Sequence, residues 1–181
     1  MPSDPPSRPA DLPLRDACLV EARKLLAEVG HEGLSLRKVA RRLGVSHQAP
    51  YKHFANKDEV VAALVEQAFG AFADHLEGLP PTGDPHGDMG QMGAAYVRYA
   101  REHPLEFRLM FGAPLPDPQR FAGMAAGARR AFDVLRHKVA AQLGLDPDSR
   151  RVRLDAMYVW STVHGLTAIL EARTAGDLGL T

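Results

Sequence analysis

The chain has 181 residues, of which 45% are hydrophobic and 24% charged, values typical of one globular unit or of two small ones that share a core. The 22 basic residues balance the 22 acidic ones, so the total charge indicates no nucleic-acid or membrane partner. The single cysteine, Cys18, excludes an intrachain disulfide, and we expect a reducing cytoplasm. The longest apolar run, Val60 to Val65, is far shorter than the roughly 20 residues of a membrane span.

Proline dominates the start of the chain and predicts a disordered tail over residues 1–12. The first 13 residues carry five prolines and no apolar stretch, a pattern that does not fit a signal peptide. Beyond the tail, apolar residues recur at helical spacing, and no alternating run of β-branched residues marks a strand. The sequence therefore predicts an all-α fold.

The first two helices are predicted from apolar spacing and capping residues. Apolar residues at steps of four, four, three and four from Leu14 to Val29 predict a helix that ends at Gly30. Ser35 is suited to cap a second helix that continues to Leu43.

A tight turn at residues 44–46 follows, and Ser46 can cap a short third helix. Asn56 then predicts the start of a long helix that reaches Leu76. Three prolines and two glycines over residues 79–87 predict a loop. The remaining sequence predicts four helices, over about residues 88–103, 104–112, 119–143 and 149–173.

Two short helices joined at residues 44–46 have the spacing of a helix-turn-helix, whose second helix enters the major groove of DNA. The segment from Ser35 to Lys57 holds six of the 22 basic residues and no acid, which leaves 16 bases against 22 acids elsewhere. Basic runs are often only the solvated face of a helical bundle. A charge of +6 on a predicted helix-turn-helix instead favours a DNA-binding module inside a neutral chain.

Four motifs resemble the TetR family of bacterial transcriptional regulators. The stretches Leu34–Ser46 and Tyr51–Glu59 are similar to the family's helix-turn-helix. The stretch Trp160–Leu166 resembles the Trp-His-Gly signature of one subgroup, and His103–Phe111 is similar to that subgroup's sixth helix. The resemblance implies an N-terminal three-helix DNA-binding domain over residues 13–58 and a C-terminal helical domain for ligand binding and dimerisation over residues 59–181.

The resemblance also implies a recognition helix from Ser46 to Lys52 and a set of DNA-contacting side chains. These residues are Ser35, Arg37, Ser46, His47, Gln48, Ala49, Tyr51, Lys52 and Lys57. Gln48 is suited to pair with adenine and Ala49 to contact a thymine methyl group. Arg37 matches a position that reaches a guanine or a phosphate, Tyr51 reaches a phosphate, and Lys57 lies at a helix N-terminus that favours one.

Pro50 departs from the apolar residue that most of the family carries in this helix. Its ring removes an intrahelical hydrogen bond and disfavours the α region for Ala49. We therefore expect the recognition helix to start irregularly.

The resemblance implies a ligand pocket among the C-terminal helices. Its candidate residues are Phe72, Met92, Tyr96, Tyr99, Phe107, Met110, Phe111, Met124, Trp160 and His164. Most such side chains are core residues, since aromatic and methionine stripes at helical spacing usually serve packing. Tyr96, Tyr99, Trp160 and His164 carry polar atoms that could orient a ligand, although His164 also fits a satisfied core histidine.

A stripe of small residues predicts a dimer interface on the last helix. Ser161, Gly165, Ala168 and Ala172 recur at four, three and four, and they would let a second helix approach closely. Val152, Val159, Leu166 and Ile169 are available to pack around the stripe. Close packing within one monomer is the alternative explanation.

The predicted function is a dimeric, sequence-specific repressor that leaves a palindromic operator in double-stranded DNA when a small-molecule effector binds. The alternative is a ligand-independent dimeric DNA-binding or architectural protein. No catalytic motif, metal-ligand spacing or cofactor fingerprint is present in the sequence. We therefore expect no enzyme activity, no metal, no cofactor and no membrane partner, with the protein acting in the cytoplasm.

Overall fold

The computed structural model describes residues 12–112 and 115–171, and within these ranges it contains helices and no strand. The predicted all-α fold is confirmed. None of the helices in the described ranges is long and apolar enough to cross a membrane. The helices are α1 (Leu14–Gly33), α2 (Leu36–Arg42), α3 (Lys57–Glu77), α4 (Pro85–Glu102), α5 (Pro104–Phe111), α6 (Ala122–Leu143) and α7 (Arg150–Glu171).

Most N-terminal helix boundaries lie where the local chemistry predicts, but α1 continues past Gly30 to Gly33. The prediction that Ser46 caps a third helix is wrong, since the 3-10 turn that follows has no side-chain cap among the described residues. Gly30 interrupts α1 with a positive φ of 69°, a conformation that glycine adopts without steric cost. The Ser35 side chain caps α2 by accepting a hydrogen bond from the backbone N–H of Lys38 at 3.3 Å. The Asn56 carboxamide caps α3 in the same way, with the Glu59 N–H as donor at 3.1 Å.

Two C-terminal helices begin three residues away from the predicted positions. Helix α4 starts earlier, at Pro85, because the Asp84 carboxylate accepts hydrogen bonds from the next turn and because proline is favoured at a first helical position. Helix α6 starts later, at Ala122, since the Gln119 N–H donates instead to the Asp117 carboxylate in a turn. The predicted end of the last helix at residue 173 lies outside the described residues.

Helix α3 joins the two parts of the fold. Val60, Val61 and Leu64, near its N-terminus, are buried in the same hydrophobic core as α1 and α2. Further along, Phe69 and Phe72 are buried where α3 packs against α4, α5 and α6. The predicted domain division between residues 58 and 59 falls in the first turn of α3, and one continuous core extends across it.

The Asn56 cap supplies a stability prediction. Asn56→Ala leaves an N-terminal N–H of α3 without its partner, and we expect the free energy of unfolding to fall by about 1 kcal/mol. Ser46→Ala is the matched control, because the Ser46 hydroxyl makes no hydrogen bond to the described residues and caps no helix. Urea unfolding followed by circular dichroism measures both variants; an equal loss in both would contradict the assigned cap.

Candidate functional site

The segment between α2 and α3, residues 46–52, is here named the recognition segment, and it is not a regular α-helix. The Ser46 carbonyl accepts from the Ala49 N–H at 3.0 Å, and a single 3-10 turn follows from Pro50 to Lys52. Pro50 has no N–H to donate to Ser46, so the predicted irregular start is confirmed. Ala49 nevertheless lies in the α region, with φ −61° and ψ −47°. The preference against the α region that Pro50 imposes on Ala49 is overridden, because Ala49 is held at both its N–H and its carbonyl.

The recognition segment presents a row of side chains to solvent. Ser46, His47, Gln48, Tyr51 and Lys52 are exposed, Ala49 is half-buried and Pro50 is buried. The buried proline therefore anchors the segment against the core, while the predicted base-contacting side chains remain accessible.

Three of the six cations in the basic module are held by the protein itself. Lys38 and Lys57 donate to backbone carbonyl groups at the C-terminal end of α1, at 2.8 and 3.3 Å. Arg42 forms a two-pronged ion pair with the Glu28 carboxylate, with one N–O distance of 2.9 Å. This pair lowers the pKa of the Glu28 carboxyl, so the Arg42 charge is locally cancelled.

The other three cations, Arg37, Arg41 and Lys52, are exposed and make no hydrogen bond or ion pair with any described residue. Arg37 and Arg41 are four residues apart on α2 and share one face of the helix. Arg41 is absent from the DNA contacts predicted from the sequence. The four-residue spacing of Arg37 and Arg41 is present in the sequence and places both on one helix face. The sequence does not show, however, that Arg42 is paired while Arg41 is not.

A small apolar cavity of about 50 Å³ lies between α3, α4, α6 and α7, with one residue from α5. Five predicted pocket residues line it, namely Phe72, Met92, Tyr96, Phe111 and Trp160. The sequence prediction did not include the other lining residues, Phe69, Leu76, Met89, Gly93, Ala128, Ala131, Phe132, Leu135, Val159 and Val163. Most of these are aliphatic or alanine residues that sequence alone does not distinguish from ordinary core.

The other five predicted pocket residues do not line this cavity. Met110 and Met124 are buried in the core. Tyr99 packs between the rings of His75 and His103. Phe107 and His164 lie behind the wall formed by Tyr96, with their own rings stacked at 5.6 Å between centroids.

One hydrogen-bonded group forms the polar corner of the cavity. The Trp160 Nε1–H donates to the Tyr96 hydroxyl at 3.3 Å, and that hydroxyl lies 2.8 Å from Nδ1 of His164. Burial raises the pKa of Tyr96 to about 12, so its hydroxyl keeps its proton at neutral pH. His164 is therefore a satisfied histidine that orients Tyr96.

Helix α5 links the cavity wall to the N-terminal helices. Its Phe111 ring lines the cavity and contacts Trp160 edge-on at 6.0 Å. On the same short helix, Glu106 accepts a hydrogen bond from Nε of Arg23 on α1 at 2.6 Å. A displacement of α5 would therefore act on both the cavity and α1.

Helix α7 carries an exposed apolar face. Leu154, Met157, Tyr158 and Ile169 are exposed there, and Tyr158 has 74% of its surface accessible. Of the predicted interface stripe, Ser161 and Ala168 are exposed, Gly165 is half-buried, and Ala172 lies outside the described residues. Of the surrounding residues, Leu166 is also exposed.

The prediction that Val152 flanks this interface is wrong, since Val152 is fully buried in the monomer core. Val159, predicted beside it, lines the cavity instead.

These features are typical of a DNA-binding transcriptional regulator: an exposed helix-turn-helix segment whose cations include three with no ion pair among the described residues, attached to a helical domain that contains a cavity. Two family models match the chain. "Bacterial regulatory proteins, tetR family" covers residues 19–64, and "Tetracyclin repressor-like, C-terminal domain" covers residues 89–177. The chain belongs to the TetR family of bacterial regulatory proteins.

Curated relatives match part of the chain. The HTH-type transcriptional regulator Rv1816 of Mycobacterium tuberculosis is 33% identical over 125 residues, which are 65% of this chain and 53% of the relative. The tetracycline repressor protein class C of Escherichia coli is 48% identical over 52 residues, 29% of this chain and 24% of the relative. The chain spans about half the length of the mycobacterial relatives that it matches.

Solved structures match most of the chain. The regulatory protein SCO4313 has a TM-score of 0.74 at 25% identity and aligns with 91% of this chain and 87% of its own. A protein from Rhodococcus sp. RHA1 has a TM-score of 0.73 at 28% identity, with 96% and 88% covered. The TetR family transcriptional regulator PfmR from Thermus thermophilus gives 0.62 at 26% identity, with 83% and 84% covered.

Proposed function

We propose that the protein is a homodimeric repressor that binds a palindromic operator and leaves it when a small molecule fills the cavity. The observation that carries this proposal is the exposed recognition segment beside three cations, Arg37, Arg41 and Lys52, that make no ion pair with any residue that the structure describes. Such a surface provides both base-reading side chains and charges for the phosphate backbone. Its target is chromosomal DNA, so the protein acts in the cytoplasm.

The proposed DNA contacts fall into two groups, those to base edges and those to phosphates. Gln48 reads adenine through its carboxamide, and Ala49 contacts a thymine methyl group from its half-buried position. Arg37, Arg41 and Lys52 contact phosphates or guanine edges, and Tyr51 reaches a phosphate. Ser35 and Lys57 act at helix N-termini, where free backbone N–H groups favour a phosphate, and the Lys57 ammonium also ties α3 to α1.

The exposed face of α7 supports the homodimer. Two recognition segments read a palindrome only when their spacing matches one helical turn of DNA, about 34 Å. A second copy packed on this face would cover Met157 and Ile169, and the small side chains of Ser161 and Ala168 would allow close approach of the helices.

The proposed release from DNA depends on the small volume of the cavity. A cavity of about 50 Å³ is smaller than the engineered cavity of about 150 Å³ that accepts benzene. An effector would therefore favour a conformer in which the walls, including Phe111 on α5, have moved. The Arg23–Glu106 ion pair would carry that movement to α1 and change the spacing of the recognition segments.

The small cavity is also the observation that favours the alternative, a dimeric DNA-binding or architectural protein without a ligand. In that case the C-terminal helices serve dimerisation alone, and no compound changes operator affinity. We also propose membership of the Trp-His-Gly subgroup, because Trp160 and His164 both bond to Tyr96 and the signature therefore has a structural role.

The charge assignment on α2 predicts a difference between neighbouring arginines. Arg41→Gln removes one phosphate-neutralising charge, and the slope of log K against log salt concentration should become shallower by about 0.9. The control is the combined variant Glu28→Gln with Arg42→Gln, which removes a pair of zero net charge and should leave the slope unchanged. Fluorescence anisotropy with a labelled random-sequence duplex measures both slopes. Loss of slope in the control but not in Arg41→Gln would contradict the assignment.

The dimer predicts a sharp effect at Ala168. Ala168→Arg places a charged side chain in the proposed interface, and we expect a monomer in sedimentation velocity with at least tenfold weaker operator binding. Ala94→Arg is the matched control, since Ala94 is an exposed alanine within α4. If both variants sediment like the unmodified chain, the interface lies elsewhere.

A further inference from the structure

We infer that the cavity beside Tyr96 accepts an uncharged, ring-containing apolar molecule with at most one hydrogen-bond donor. The inference rests on the proposed function in assuming that this cavity is the effector site. It concerns the chemical class of the ligand.

The cavity walls exclude a charged ligand. None of the residues that line the cavity carries a charge, and the surrounding side chains are aromatic, aliphatic or methionine. A buried charge without an opposite charge or several hydrogen bonds is strongly disfavoured. A carboxylate, phosphate or ammonium group placed here would meet no such partner.

The polar corner limits the ligand to one hydrogen bond. The Trp160 N–H is already donated to Tyr96, and the Tyr96 hydroxyl is paired with Nδ1 of His164. With the Tyr96 O–H donating to Nδ1 of His164, the Tyr96 oxygen accepts from Trp160 and has one remaining lone pair. A single N–H or O–H on the ligand can use that lone pair, and a second polar group would remain unsatisfied.

The side chains of the cavity walls favour a ligand that contains a ring, and some of them can move to enlarge the cavity. Phe72 meets Tyr96 edge-on with their ring centroids 5.3 Å apart, and Phe111 meets Trp160 in the same way. Aromatic edges and faces of this kind pack well against a further ring. Met89 and Met92 line the cavity from α4, and methionine adapts its shape more readily than branched or aromatic side chains.

Two probes that differ by one sulfonate test the charge requirement. N-phenyl-1-naphthylamine is uncharged with one N–H, and 1-anilinonaphthalene-8-sulfonate is its anionic counterpart. Trp160 is the only tryptophan in the chain, so energy transfer from it to the probe reports binding near the cavity. We expect saturable binding of one uncharged probe per chain and at least tenfold weaker binding of the sulfonate.

Substitution of two glycines on α4 tests whether the probe binds in the cavity. Gly93 lines the cavity, and a Cβ there would stand 3.7 Å from Val163, whereas a Cβ at Gly90 would meet nothing within 4 Å. Gly93→Leu should weaken binding of the uncharged probe at least tenfold, and Gly90→Leu should leave it unchanged. Gly93→Ala adds one methyl group at an ordinary contact distance and should give a smaller loss in a chain that still folds.

Equal or tighter binding of the sulfonate would overturn the inference, as would absence of probe binding or probe binding unaffected by both Gly93 variants. All titrations use the full chain without DNA. A failure to bind or release DNA, which would overturn the proposed function, is therefore distinguishable from a failure of the ligand class.

Discussion

The structure depends on the packing of α3 through a single hydrophobic core. This helix starts at the Asn56 cap beside the recognition segment and ends beside the cavity, where Phe72 forms part of the wall. Because its first turns are buried with α1 and α2 and its later turns with α4, α5 and α6, the DNA-facing and cavity-forming parts cannot move independently. In the proposed function, α3 connects the two sites, and the Arg23–Glu106 pair adds a second connection.

The chain as a whole is neutral but contains a basic module of six cations between Ser35 and Lys57. Half of its six cations are committed to contacts within the protein, among them Arg42 with Glu28. Arg42 would have to break its ion pair with Glu28 to reach a phosphate, whereas Lys38 and Lys57 each keep their charge and further N–H donors. In the proposed function, the base-reading side chains supply the sequence recognition that phosphate contacts do not.

Sequence predicted the helical elements well where local chemistry dominates. Caps such as Ser35 and Asn56 and the break at Gly30 are encoded by single residues and their neighbours. Contacts between distant helices could not be predicted from the sequence. The sequence does not show that Arg42 is paired while Arg41 makes no ion pair with a described residue. It also does not show that Trp160 lines the cavity while His164 lies behind the cavity wall. These distinctions depend on contacts between helices far apart in the chain, which spacing along one helix does not report.

Selection from a random duplex library tests whether a dimer reads DNA sequence through residues 46–52. Such a dimer should enrich a palindrome whose half-sites lie about one helical turn, or a multiple of it, apart. The enriched duplex should bind at least about 10³-fold more tightly than random DNA at physiological salt. Equal affinity for selected and random duplexes, or enrichment of a single half-site alone, would contradict the account.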